Sequence, residues 1–287
     1  MNIPVFIVTP RLKETSEATK VSMMSLALTD IFIGIEFVLR LCYFAVMGQY
    51  YFTNDLICRI DGVVQSILAG VSITTLMYLC VDRVIVIKYP LHYPIYFTRK
   101  VVVCINLSIW FNTCTIFILG HVVFGMKIAM MKDALICAFV PEQSDFTLTM
   151  IISGFVIPAC VIFICAVILY NIVRQQISQI RALEGAASQL PNHASLVSHL
   201  NAIKTIFCMV GGYYICWGPV MIFVWVWSYI YGHSISPKAE AITGWFAMCN
   251  CMCNSLVYLP TMREYRRIFK SIFIPKMFTS DNSRSNS

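Results

Sequence analysis

Charge is what this sequence has least of. Only 12% of its 287 residues are Asp, Glu, Lys or Arg, against 59% that are hydrophobic. Soluble domains run nearer about 25% charged and about 45–50% apolar, so a water-facing surface around a small core is excluded. Histidine is scarce too, and the five present show no ligand spacing. No converging Asp pair, His/Asp set or Ser/His pair at a shared depth stands out, which leaves intramembrane enzyme chemistry without a candidate. The 21 basic residues outnumber the 14 acidic ones but cluster on no soluble face, which argues against nucleic acid as a partner. Sustained apolar–polar alternation is absent, and with it the signature of an outer-membrane barrel.

What is present suits a lipid bilayer. Apolar stretches of spanning length, about 20 residues each, lie near 22–46, 59–88, 101–123, 147–173, 203–231 and 239–260. Each is too long for a barrel strand, so helices are expected. Residues 1–9, MNIPVFIVT, are also apolar. Nine residues of helix rise only about 14 Å against a hydrocarbon core of about 30 Å. Taken alone, they read as a disordered N-terminus or as the inner half of a further helix. No basic leader or small-residue cleavage site marks them as a signal peptide. If the segment Arg11 to Lys20 is cytoplasmic, 16 of the 21 Lys and Arg fall inside, leaving Arg40, Arg59, Lys127, Lys132 and Lys238 outside. The net charge of +7 is then a positive-inside signature, with a cytoplasmic C-terminus.

Of the 13 cysteines, 11 fall inside these spans, where a thiol is an ordinary small apolar group. Cys58 stands at the outer end of its span and Cys137 in the outer loop 124–146, where oxidation is expected. One outer disulfide, Cys58–Cys137, is the natural pairing. The run CNCMCN, 249–254, looks like a metal motif, but on a helix residues two apart diverge by about 200°. Packing is the better reading, and no metal site is expected.

A full charge pair, Asp82-Arg83, ends the apolar run LMYLCVDRVIVIKYPLHY. It lies 25 residues after Cys58, which is about 37 Å of helix. With Cys58 at the outer surface, the pair lands at the inner surface. There Arg83 can pair with Asp82, snorkel to headgroups, or turn toward a cytoplasmic partner. Asp30, by contrast, is mid-span, where a charge marks a functional site.

These residues carry a resemblance. Asn2 and Asp30 are 28 apart; VDRV is followed by YPLHY; Trp110 and Pro158 mark the next two spans; CWGP occupies 216–219 and NSLVY 254–258. In that order and spacing the chain resembles class A (rhodopsin-like) G protein-coupled receptors from Asn2 to about Phe273. The resemblance implies an all-α seven-transmembrane bundle, with residues 1–9 as the inner part of its first helix. The receptor domain would occupy 1–274, including a short interfacial helix, and 275–287 a disordered cytoplasmic tail. The implied setting is the plasma membrane, and the implied partners are an extracellular ligand and a heterotrimeric G protein. A truncated, non-signalling or heteromer-only form is the alternative.

The resemblance also implies roles. Asp82, Arg83, Trp217, Pro219, Asn254 and Tyr258 would form the switch and G protein coupling set, with Asp82 holding Arg83 until the sixth helix swings out. Asp30, Ser72, Asn250 and Asn254 would hold an allosteric sodium ion, a carboxylate and neutral oxygens being suited to a hard cation. Ligand would meet Asp61, Gln65, Ser66, Ala69, Met150, Gly154, Trp217, Val220, Met221, Val224, Gly244 and Met248. Most of these are small or apolar, although Asp61, Glu36 and Glu240 leave room for a cation near the mouth. Met248 stands where opsins carry the retinal lysine, so no retinal is implied. Gln65, 18 residues before Arg83, stands where amine receptors carry an Asp, so a typical biogenic amine is not expected.

The sequence departs from the family pattern at Leu68, Val84, Ala166, His199, Cys251 and Ser255. With no acid at 199, weaker restraint of Arg83 and some ligand-free signalling are expected. Past the last span, MREYRRIFKSIF sets Met262, Tyr265, Phe269 and Ile272 against Arg263, Arg266, Arg267 and Lys270 at helical spacing. This predicts an amphipathic helix on an anionic leaflet.

Overall fold

The computed structural model describes residues 2–13, 15–47, 55–131, 136–139, 145–184, 193–232 and 236–273. The loop segment 185–192, the tail 275–287 and the side chain of His199 lie outside the described residues. α1 (Asn2–Val8) leads through a tight turn (Thr9–Arg11) to α2 (Glu17–Met47) and α3 (Asp55–Lys88). A short α4 (Tyr93–Tyr96) precedes α5 (Arg99–Val122), whose start is capped by the Thr98 side chain. α6 (Asp145–Ile151) runs through a π-helical turn, Ile152–Val156, into α7 (Ile157–Glu184). α8 (His193–Pro219) runs through a second, Val220–Val226, into α9 (Trp227–Tyr231). Then come α10 (Pro237–Thr261) and α11 (Arg263–Phe273).

Among the described residues five helical stretches are long and apolar enough to cross a membrane: Glu17–Met47, Asp55–Lys88, Arg99–Val122, Asp145–Ile172 and Lys204–Tyr231. The sixth predicted span falls in α10, which at 25 residues is long enough but less apolar. Its buried side carries Asn250, Asn254 and Ser255, and those polar residues serve the interior. Among the described residues the outside is apolar, while the hydrophobic interior also takes in buried polar groups. Asp30 and Thr75 are buried while Val46 and Phe111 are 80% and 76% exposed. In water that arrangement would be costly; in lipid it is the expected one.

α3 is the axis of the bundle, packed on α2, α5 and α7. Polar side chains tie α5 to α2, Asn106 Nδ2 donating to Ser22 Oγ at 2.9 Å and Trp110 Nε1 to Ser25 Oγ at 3.1 Å. α1 meets α2 and α10, and Asn2 Nδ2 donates to the Cys251 carbonyl at 2.8 Å. The π-helical turn in α6–α7 lies just ahead of Pro158. Proline has no N–H for the carbonyl four residues back, and the widened turn absorbs the broken ladder. At α11, Tyr265 is buried against Tyr258, ring centroids 5.8 Å apart, while Arg263, Arg266, Arg267 and Lys270 are exposed. Glu264 anchors it to the first inner turn by accepting the Lys13 backbone N–H at 2.6 Å.

One element departs from an all-helical expectation. β1 (Ile128–Met131) and β2 (Ile136–Phe139) form an antiparallel hairpin over the outer end, with Met130 opposite Cys137. Cys137 is disulfide-bonded to Cys58 on α3, with Cα atoms 5.5 Å apart. Gly62 permits this close approach: a Cβ there would meet the Ile128 side chain at 2.4 Å and the Cys137 carbonyl at 3.2 Å.

Candidate functional site

Three polar or hollow features lie along α3. At its inner end Asp82 is fully buried, and each of its oxygens is occupied. Thr19 on α2 donates to Oδ2 at 3.0 Å, and the Tyr93 hydroxyl donates to Oδ1 at 2.5 Å. Arg83 Nη2 lies 3.4 Å from Asp82 Oδ2, and it also donates to the Thr19 hydroxyl. Burial, aided by the Asp82 charge, pushes the Tyr93 phenol up to about 12, so it remains a proton donor at physiological pH. Thr19 and Tyr93 were not identified from the sequence: Thr19 is 63 residues from Asp82, and Tyr93, though only 11 away, lies beyond the turn that follows α3. The only hint was a hydroxyl at the inner end of a span.

Midway along the bundle, Asp30 Oδ2 accepts from Asn254 Nδ2 at 3.0 Å. Asp30, Gln65, Ser72, Trp217, Met248 and Asn250 line a small cavity there. Asp30 Oδ1, Asn250 Oδ1, Asn254 Oδ1 and Gln65 Oε1 are buried acceptors with no hydrogen-bond partner among the described residues. A buried carboxylate beside several unsatisfied neutral oxygens lacks positive charge, and these residues fit a small hard cation. Of the neighbouring cysteines Cys251 lines the cavity, and the other two do not join it. Cys249 is exposed, Cys253 faces Cys216 at 3.7 Å, and Cys251 offers its carbonyl to Asn2.

Above this chamber is an outer cavity of about 90 Å³. Nine of the predicted contacts line it: Gln65, Ser66, Ala69, Met150, Trp217, Val220, Val224, Gly244 and Met248. Asp61, Gly154 and Met221 do not. Asp61 is turned away by Arg40 on α2, which grips both carboxylate oxygens at 2.8 and 2.7 Å and also reaches Glu36 at 3.4 Å. Gly154 and Met221 fall in the two π-helical turns, whose register departs from even 3.6-residue counting, although Val220 and Val224 in the second turn still line the cavity. Phe155 occupies the wall instead, its ring 5.6 Å from Trp217 and 3.9 Å from Trp225. Glu240, which the sequence set near the mouth, also lines it, and further lining residues missed from the sequence are Phe117, Ile136, Cys137, Ala138, Phe139, Ile151, Trp225 and Ala247. Four of these come from β2, which even spacing on helices cannot place.

The remaining predicted switch residues are interior. Tyr258 is buried, and its hydroxyl, like the Trp217 indole N–H, has no partner among the described residues. Pro219 lies inside α8. One turn before it, the Tyr214 hydroxyl donates to the Ala159 carbonyl on α7 at 2.5 Å.

The model of the family described as "7 transmembrane receptor (rhodopsin family)" matches residues 1–258. The chain belongs to this family. It is a G protein-coupled receptor for an extracellular ligand, a multi-pass membrane protein rather than an enzyme. Trace amine-associated receptor 5 of Homo sapiens is 26% identical to this receptor over 284 residues, 97% of this chain and 82% of the relative. The alpha-1A adrenergic receptor of Oryzias latipes is 20% identical over 278 residues, 87% of this chain and 58% of the relative. The crystal structure of squid rhodopsin superposes with a TM-score of 0.76 at 16% identity, covering 95% of this receptor and 75% of that chain. That likeness concerns the fold.

Proposed function

We propose that agonist binding in the outer cavity shifts a two-state equilibrium toward a conformer in which α8 moves outward at its inner end. Arg83 then leaves Asp82 and Thr19 and meets the C-terminal helix of a G protein alpha subunit at the cytoplasmic face of the plasma membrane. One observation carries this reading: the cavity and the Asp82–Arg83 lock are opposite ends of one helix, α3. A sodium ion held by Asp30, Ser72, Asn250 and Asn254 favours the resting conformer.

The names of the trace amine-associated and adrenergic relatives bring amines forward as a ligand class. Gln65 is neutral and Asp61 is engaged by Arg40, so an ammonium has no acid at the depth where an amine receptor would supply one. A charge-assisted bond contributes about 1.5–3 kcal/mol and a neutral one roughly half that. Dopamine, serotonin and histamine are therefore not high-affinity agonists on this reading. GTP-analogue exchange in membranes containing the receptor and a G protein tests it. Ligand-free exchange should be measurable and should be lost in Arg83→Ala. No exchange with any G protein would favour the non-signalling form. A nanomolar response to one of those amines, lost in Gln65→Leu, would overturn the ligand reading.

A further inference from the structure

Of Glu36, Asp61 and Glu240, the acids the sequence set near the mouth of the bundle, two are already committed. Glu36 and Asp61 both lie on the Arg40 guanidinium. Glu240 is different. It lines the outer cavity, and its carboxylate has no hydrogen-bond or ion-pair partner among the described residues. Lys238 stands two residues away on α10 and is exposed, and residues two apart on a helix face away from one another.

A second unpartnered polar group faces the same space from below. Gln65 is 7% exposed, and its Oε1 has no partner among the described residues. Its Nε2 makes only a weak contact to Met248 Sδ, at 3.4 Å. Glu240 and Met248 are both on α10, and eight residues of helix separate them by about 12 Å along the axis. Side chains on one helix lean the same way, toward its N-terminus, so the separation carries over to the side-chain groups. Between the acid and the amide the walls are apolar: Phe155, Trp217, Val220, Val224 and Trp225.

We infer that Glu240 is the counter-ion for a thin, elongated monocation that enters with its apolar body first and its charge at the rim. The far end of that ligand carries a hydrogen-bond donor, which Gln65 Oε1 accepts. The inference rests on the reading of the outer cavity as the agonist site, and it specifies the ligand class. A phenethylamine is too short to join the two groups. The 90 Å³ cavity equals about six or more single-water volumes, room for a chain-like molecule and not for a bulky one.

The test uses the whole receptor in membranes with Ser66→Cys in the cavity wall, peptide mapping reporting modification at 66 alone. A small cationic methanethiosulfonate should modify that thiol about tenfold faster than an anionic one of equal size, because the acid concentrates cations near it. Glu240→Gln should abolish the preference, and Glu240→Asp should keep it, which separates lost charge from lost folding. An eight-carbon amino alcohol should protect residue 66, at about tenfold higher concentration in Glu240→Gln. Gln65→Leu should weaken that protection several-fold while leaving octylamine unaffected. Equal rates for the two reagents, or protection indifferent to Glu240→Gln, would overturn the inference and leave the cavity reading intact. If neither reagent reaches residue 66, both are overturned.

Discussion

Tyr93 and Asp82, eleven residues apart across the first turn of the second inner loop, are joined by a 2.5 Å hydrogen bond with the phenol as donor. This makes the loop part of the charge lock. Asp82 is held by α3's own Arg83, by α2 through Thr19, and by the loop through Tyr93. Freeing Arg83 therefore means disturbing three segments together.

Removing either hydroxyl should loosen the lock. Tyr93→Phe or Thr19→Ala each deletes a hydrogen bond to a carboxylate, about 1.5–3 kcal/mol of resting-state stabilisation. Ligand-free GTP-analogue exchange, at matched surface expression, should rise in both. Unchanged exchange would mean the resting state is held elsewhere. The Tyr93 contribution is fully present below the phenol's ordinary value near 10 and is lost as pH rises through about 12. Exchange measured between pH 6 and 8 should not reflect its titration.

His199→Glu should act in the opposite direction. A carboxylate at that position would offer Arg83 a second resting-state partner, a population shift of about 1 kcal/mol. Lower ligand-free exchange is the expected result. No change would mean that Asp82, Thr19 and Tyr93 suffice.

Asp30→Asn should remove sodium sensitivity. If the unsatisfied oxygens of Asp30, Asn250 and Asn254 hold the ion, sodium should lower agonist affinity in the parent and not in the variant. Identical sodium dependence in both would leave a hydrogen-bonded polar core without an ion.

In the Arg40–Asp61 pair Arg40 is buried and Asp61 partly so, with one guanidinium nitrogen, Nη2, meeting both carboxylate oxygens. Breaking it on one side, with Arg40→Ala, should cost about 3–5 kcal/mol, whereas replacing Arg40, Asp61 and Glu36 together by apolar residues should be close to neutral. Thermal unfolding of detergent-solubilised receptor separates the two outcomes. An Arg40→Ala variant as stable as the parent would make the pair a surface contact in effect.

Cys58→Ser and Cys137→Ser should be equally harmful. The bond closes a 79-residue separation, and its loss should cost about 2–5 kcal/mol. Surface expression should fall in each, and the double variant should be no worse than either. Free thiols at both positions in surface-expressed parent would refute the pairing.

Local chemistry was enough to place most of this receptor. Five of the six predicted spans, the Cys58–Cys137 bond and the amphipathic α11 follow from hydropathy and the position of thiols. Each is a property of one segment against one solvent, so the chain carries it in order. Partnerships between segments are different. That Arg40 takes Asp61 away from the cavity, that Phe155 replaces Gly154 in the wall, and that Tyr93 and Thr19 reach Asp82 depend on the rotation of one helix against another. Rotation is set by close packing and, at Phe155, by a π-helical turn, where one residue of register moves a side chain through about 100°. Spacing in a sequence assumes that register is even, and only the folded bundle shows where it is not.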